Sequence, residues 1–121
     1  MKRLLWLDDM RDPFADHRWI ANYASQFVEE GTVYWAKSYK EFTDWISTNG
    51  LPDMICFDHD LGDLTDHVEK TGHDCAKWLV DYCLDRDLDL PSWNVQSSNP
   101  IGKDNINGIL ESYLKFRSTD L

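Results

Sequence analysis

The sequence predicts an α/β fold: a short parallel sheet of about four strands with helices on both faces, making three layers. Three observations predict it. Four apolar runs have strand length, each is followed by a segment with helical periodicity, and the runs are apolar on both faces rather than alternating. With 121 residues, 42% hydrophobic and 13% aromatic, the chain is expected to form one domain over residues 1–121 around a core of ordinary size.

The first apolar run, LLWL at 4–7, ends at the polar turn Asp8-Asp9-Met10-Arg11-Asp12-Pro13. Trp19, Ile20, Tyr23, Ala24, Phe27 and Val28 then recur at three and four, the spacing of a helix that Gly31 would end. Residues 32–36, TVYWA, are β-rich, and Ser38-x-x-Glu41 reads as a capping box opening a helix with Phe42, Trp45 and Ile46 before Gly50. MICF at 54–57 is the third strand, and a long polar loop over 61–71 follows it. Thr71-x-x-Asp74 is a second capping box, and Cys75, Ala76, Trp78, Leu79, Tyr82 and Cys83 form one helical stripe. An acidic linker at 85–89, a strand over 93–96 and the turn Ser97-Ser98-Asn99-Pro100 lead to a last helix with Ile106, Ile109, Leu110, Tyr113 and Phe116.

Right-handed crossovers leave few topologies for such a chain. In the order 2-1-3-4, that of the flavodoxin-like class, strands one and three are neighbours and ligands bind beyond their carboxyl ends. That order gathers Asp8 and Asp9 with Asp58 and Asp60 in one crevice. Aspartate is common at strand ends, where it favours turns. Two pairs after two neighbouring strands are a stronger signal, because clustered carboxylates repel unless a proton or a cation neutralises them. Hard oxygen ligands suit Mg²⁺, which is held by a few carboxylates together with a phosphate. Asp8, Asp9, Asp58 and Asp60 are therefore candidate metal ligands, and a phosphate-containing ligand is expected beside them.

Charge and cysteine content narrow the function classes. Twenty-two acidic against twelve basic residues give a formal net charge of −10, which disfavours duplex DNA and anionic membranes as partners. No run approaches a membrane span and the N-terminal apolar run is too short for a signal peptide, so a cytoplasmic protein is expected. Cys56, Cys75 and Cys83 are odd in number without CxxC spacing and read as reduced core residues. His67, His73 and Cys75 match no zinc pattern.

The acidic pair after strand one, Asp58 after strand three and the Ser97 hydroxyl after strand four resemble the receiver domain of response regulators. That resemblance implies that Asp8, Asp9 and Asp58 hold Mg²⁺, that Asp58 is the central aspartate, and that Ser97 bonds a phosphoryl group. The chain departs from a receiver in having no fifth strand with its lysine. LDDMRDP at 7–13, FDHDLG at 57–62, TGHDCAKWL at 71–79 and SSNPIGKDNI at 97–106 resemble a receiver-derived family, the cyclic-phosphate processing receiver-like domain, over nearly the whole chain. The resemblance implies metal-dependent phosphoester chemistry on a cyclic phosphate, in a nucleotide or at an RNA end, with Asp58 or a metal-activated water as nucleophile. Gln96 stands where that family is expected to carry a histidine.

Other residues take roles on chemical grounds. The Arg11 fork suits phosphate oxygens, or else a surface ion pair with Asp12 or Asp16. His59, between two aspartates, is a candidate proton carrier if the chain turns directly after Asp58. Asn99-Pro100 can serve as helix N-cap and first helical residue, leaving an anion seat beside Ser97, with Lys103 one turn on. Asp58, His59 and Ser97 are thus the catalytic candidates, and Arg11, Ser97, Asn99 and Lys103 the phosphate-binding ones. The alternative is a receiver-like signalling module, or a phage or host interaction module, working through a protein partner.

Overall fold

β1 (Lys2–Leu7), β2 (Gly31–Ala36), β3 (Met54–Phe57) and β4 (Ser92–Val95) form one parallel sheet in the order β2-β1-β3-β4 in the computed structural model. Residues 2–14, 31–62, 69–97 and 99–119 are described. The helix expected around Trp19 to Val28, most of the loop after β3, and Ser98 lie outside them. Gly31, read as the end of that helix, is the first residue of β2. The register pairs Leu7 with Ala36 and Phe57, and Phe57 with Val95, so the strands end level with one another.

α1 (Tyr39–Asn49), α2 (Gly72–Arg86) and α3 (Pro100–Thr119) pack on one face of the sheet. Leu5, Leu7, Ile55, Phe57 and Val95 meet Phe42 and Ile46 of α1, Cys75, Leu79 and Cys83 of α2, and Ile106 and Leu110 of α3. The side chains between them, Leu4, Trp6, Met54 and Cys56, are buried on the other face. Both faces are therefore sequestered, as the continuous apolar strands require. No helix among the described residues is long and apolar enough to cross a membrane.

Caps fix where α1 and α2 begin and where α2 ends. Thr71 Oγ1 accepts from Asp74 N, and Asp74 Oδ2 accepts from Thr71 N, a complete capping box that fixes the start of α2. At α1 only half of the expected box forms. Ser38 Oγ accepts from Glu41 N, while the Glu41 carboxylate reaches one residue further back to Lys37 N. α2 runs into the acidic segment read as a linker and closes on Asp87, whose φ of 55° is a left-handed cap conformation that aspartate tolerates. Arg117 of α3 then binds Asp87 and Asp89, tying the two helices together.

Candidate functional site

Asp8, Asp58 and Gln96 each follow the last paired residue of their strands. Their amides continue the ladder: Asp8 N donates to Ala36 O at 3.0 Å, Asp58 N to Leu7 O at 2.9 Å and Gln96 N to Phe57 O at 2.9 Å. Parallel neighbours in register point to the same side, so these three side chains form one layer at the carboxyl edge of the sheet. Asp8, Asp9, Met10, Arg11, Asp58 and Asp60 line an open crevice of about 290 Å³ there.

Asp8, Asp9 and Asp58 each offer one carboxylate oxygen, and the three oxygens lie within 4.8 Å of one another. Asp8 is 1% exposed. Its Oδ1 accepts from Met10 N and Arg11 N, an Asx-type turn that reverses the chain after β1, and Arg11 Nη1 lies 3.2 Å from its Oδ2. Arg11 Nη1 also donates to the Gln96 carbonyl, so the guanidinium spans from β1 to β4. The Asp58 carboxyl is pushed up to about 7, first by burial and then by the negative charges of Asp8 and Asp9, with Arg11 opposing them. An ionised Asp58 is costly in this crevice until a cation joins it.

Asp60 lines the same crevice, but its carboxylate lies outside the three-oxygen cluster. Its Oδ1 accepts from Asn99 Nδ2 at 3.4 Å and lies 2.9 Å from His59 Nδ1, and the His59 bond leads in holding its carboxyl below the usual range. His59 does not line the crevice. Its ring sits against α3 so closely that a β-carbon at Gly102 would fall 2.3 Å from His59 Cγ. On the other side, a β-carbon at Gly72 would fall 1.9 Å from Asp58 O, and Gly72 N donates to His59 O. Two helices thus close on the Asp58-His59 segment through positions where only glycine fits.

Asn99 caps α3: its Oδ1 accepts from Gly102 N, and Pro100 is the first helical residue. The Ser97 hydroxyl accepts from Asn99 N, so one amide of the expected anion seat is already bonded. Lys103 is exposed one turn into α3 and does not line the crevice.

Two tryptophans take part in the site through hydrogen bonds that no local motif announces. Trp35 Nε1 donates to Asp8 O at 2.7 Å, and Trp6 Nε1 donates to Arg11 O at 2.9 Å, so two indoles hold the backbone of the acidic loop. Trp6 and Trp35 are paired one residue before their strands end.

Carboxylates converging at the carboxyl edge of a β2-β1-β3-β4 sheet define a receiver-like domain. A solved N-terminal domain of a response regulator/sensory box/GGDEF protein from Carboxydothermus hydrogenoformans shares the fold, with a TM-score of 0.53 at 19% identity over 98% of both chains. A solved fusion carrying the trimeric coiled-coil segment of yeast Spc42 aligns with a TM-score of 0.56 at 17% identity, covering 98% of this chain and 80% of that one. The chain belongs to the cyclic-phosphate processing receiver domain family, whose family model matches residues 3–112. No curated protein matches it.

Proposed function

We propose that the crevice binds Mg²⁺ and hydrolyses a cyclic phosphate, in a nucleotide or at an RNA end. The observation that carries this reading is the convergence of three carboxylate oxygens within 4.8 Å in a family named for cyclic-phosphate processing. The donor set fits the ion: hard oxygens of Asp8, Asp9 and Asp58, the last with its carboxyl pushed up to about 7 by burial and then by its acidic neighbours, gain most from a compact dication. Bound there, Mg²⁺ would supply Lewis-acid polarisation of a phosphoryl oxygen.

The protein's own groups divide the remaining work. Arg11, anchored to Asp8 and to the Gln96 carbonyl, sets a guanidinium at the crevice edge where phosphoryl oxygens would lie. Ser97 and the Asn99 cap stand at the start of α3, where Asn99 Nδ2 reaches Asp60 of the crevice, and Lys103 adds positive charge one turn on. His59 is assigned a positioning part, because its Nδ1 faces Asp60 and its ring is packed on Gly102. Asp58 has two roles open to it, cation ligand and phosphoryl acceptor.

The test is product analysis of a short RNA ending in a 2′,3′-cyclic phosphate, incubated with Mg²⁺ and either the unmodified protein or Asp58→Asn. Opening of the ring by the unmodified protein alone is expected. Intact ends despite measured Mg²⁺ binding would reject the RNA-end substrate, and a nucleoside 2′,3′-cyclic phosphate left intact as well would reject the hydrolytic reading. A second reading, a phosphoryl-responsive module acting on a protein partner, is favoured by the Asp60–Asn99 contact, which links the crevice to the cap of α3. It would show as a change in oligomeric state with a stable phosphoryl analogue and no hydrolysis.

A further inference from the structure

Among the described residues that line the crevice, Asp8, Asp9, Asp58 and Asp60 are acidic, Arg11 is the one cation and Met10 the one apolar side chain. Arg11 is bonded to Asp8 and to the Gln96 carbonyl. Met10 is 83% exposed, yet its main chain is pinned. Its amide donates to Asp8 Oδ1 at 3.0 Å, and Arg11 after it is held through its amide by Asp8 Oδ1 and through its carbonyl by the Trp6 indole. A fixed backbone therefore presents a bare thioether at the wall of the carboxylate crevice.

Charge bears on what could meet that thioether. A strand of RNA is gripped by lysines and arginines that follow its phosphates, with aromatic side chains under its bases. This chain has a formal net charge of −10. Several of its cations are engaged with its own groups: Lys40, Lys77 and Arg117 pair with aspartates, and Arg3, near the start of β1, bonds backbone carbonyls. Each nucleotide added to a substrate brings one more negative charge against this field. The crevice, about 290 Å³, has the size of a small-molecule pocket.

We propose that the substrate is a free nucleoside cyclic phosphate rather than an RNA end, with its base laid against the Met10 thioether, an assignment that rests on the hydrolytic reading above. A cyclic phosphodiester carries a single negative charge, which a bound dication and Arg11 can match. Methionine suits a base, because its polarisable sulfur makes favourable contacts with aromatic rings and demands no one hydrogen-bond pattern. In the hydrolysis a water oxygen bonds to phosphorus, and one ring oxygen leaves with the electron pair of its P–O bond and takes a proton from that water. The base exchanges no atom in this step, so Met10 acts on binding.

The experiment measures kcat and KM with Mg²⁺ for adenosine 2′,3′-cyclic phosphate, for glycerol 1,2-cyclic phosphate, which has the same ring and no base, and for a short RNA ending in adenosine 2′,3′-cyclic phosphate. The nucleoside should have a KM about tenfold below that of the glycerol ester, in keeping with one side chain buried against a ring. Met10→Ala should remove this difference by raising the nucleoside KM, with its kcat within about twofold, the pattern of a lost uniform contact. Met10→Leu, which keeps the apolar volume, should hold the nucleoside KM within about threefold. The RNA should have the higher KM at about 50 mM salt and approach the nucleoside at about 200 mM, the sign of repulsion rather than of counterion release. A glycerol ester bound as well as the nucleoside, or a preference that survives Met10→Ala, overturns the assignment. So does an RNA with the lower KM that weakens as salt rises. A protein that hydrolyses none of the three substrates rejects the hydrolytic reading itself, and this assignment with it.

Discussion

Trp35 Nε1 donates to the carbonyl oxygen of Asp8 at 2.7 Å, so a side chain one residue before the end of β2 fixes the backbone of the residue that follows β1. The Trp6 indole does the same for Arg11 O. The two carboxylates of the acidic pair therefore sit on a loop whose path is set by indoles.

Trp35→Phe keeps a ring in place and removes the donor. It should lower stability by about 1 kcal/mol, the net worth of one such hydrogen bond. The larger effect is expected on the cation, because Asp8 and Asp9 lose their fixed spacing: Mg²⁺ affinity should fall about tenfold, the low end of the range seen when groups orienting a metal ligand are removed. A calorimetric titration checks it, and an affinity equal to the unmodified protein's would show that the loop holds its shape without the indole.

Much of this fold was legible because strand and helix patterns are local. Residues 54–57 are a strand flanked by polar turns, and Thr71 with Asp74 announces a helix start in its own letters. The carboxylate cluster followed from strand order alone, since Asp8 and Asp58 end neighbouring strands. What stayed hidden depends on distances between segments far apart in the chain. Nothing local in Gly72 or Gly102 says that a β-carbon would strike Asp58 O or the His59 ring. Likewise the turn after Asp58 sends His59 under α3, whereas Asp60 remains at the crevice, a choice made by tertiary packing.

Gly102→Ala tests that packing. Its new methyl would need to occupy the space of the His59 ring, and overpacking of this kind costs about 1–3 kcal/mol. Removing the ring as well, in Gly102→Ala with His59→Ala, should make the glycine substitution neutral to stabilising against a His59→Ala background, because alanine is otherwise the better helix residue by up to about 1 kcal/mol. Melting curves of the four proteins close the cycle. Additive losses would mean that the two residues do not meet.

Arg11 opposes the repulsion among the carboxylates while also touching Gln96 O. Arg11→Gln should therefore lower the melting temperature of the cation-free protein by a few degrees and enlarge the stabilisation that Mg²⁺ gives. If the guanidinium also holds phosphoryl oxygens, KM for a cyclic phosphate should rise by at least about tenfold, the loss of a charge-assisted bond. Unchanged KM would confine Arg11 to the first role.

The raised Asp58 carboxyl gives a pH dependence whose sign is fixed. Its value of about 7 in the folded protein lies above the ordinary 3.8. Below about pH 4 both folded and unfolded chains carry the proton, and this group's contribution to stability is fully present. Between about pH 4 and 7 the unfolded chain releases the proton while the folded one keeps it, so stability falls as pH rises and levels off above the folded value. Asp60 and Asp74, both held below the ordinary range, act in the opposite sense but only in more acid solution. Without cation, the unmodified protein should thus lose melting temperature relative to Asp58→Asn between about pH 5 and 8, and the variant should be the more stable at the upper end. Saturating Mg²⁺ should reverse the order at about pH 8, because it favours the ionised carboxylate that asparagine lacks. Parallel melting curves for the two proteins across that range, with or without Mg²⁺, would mean that Asp58 is neither protonated by its neighbours nor a ligand of the ion.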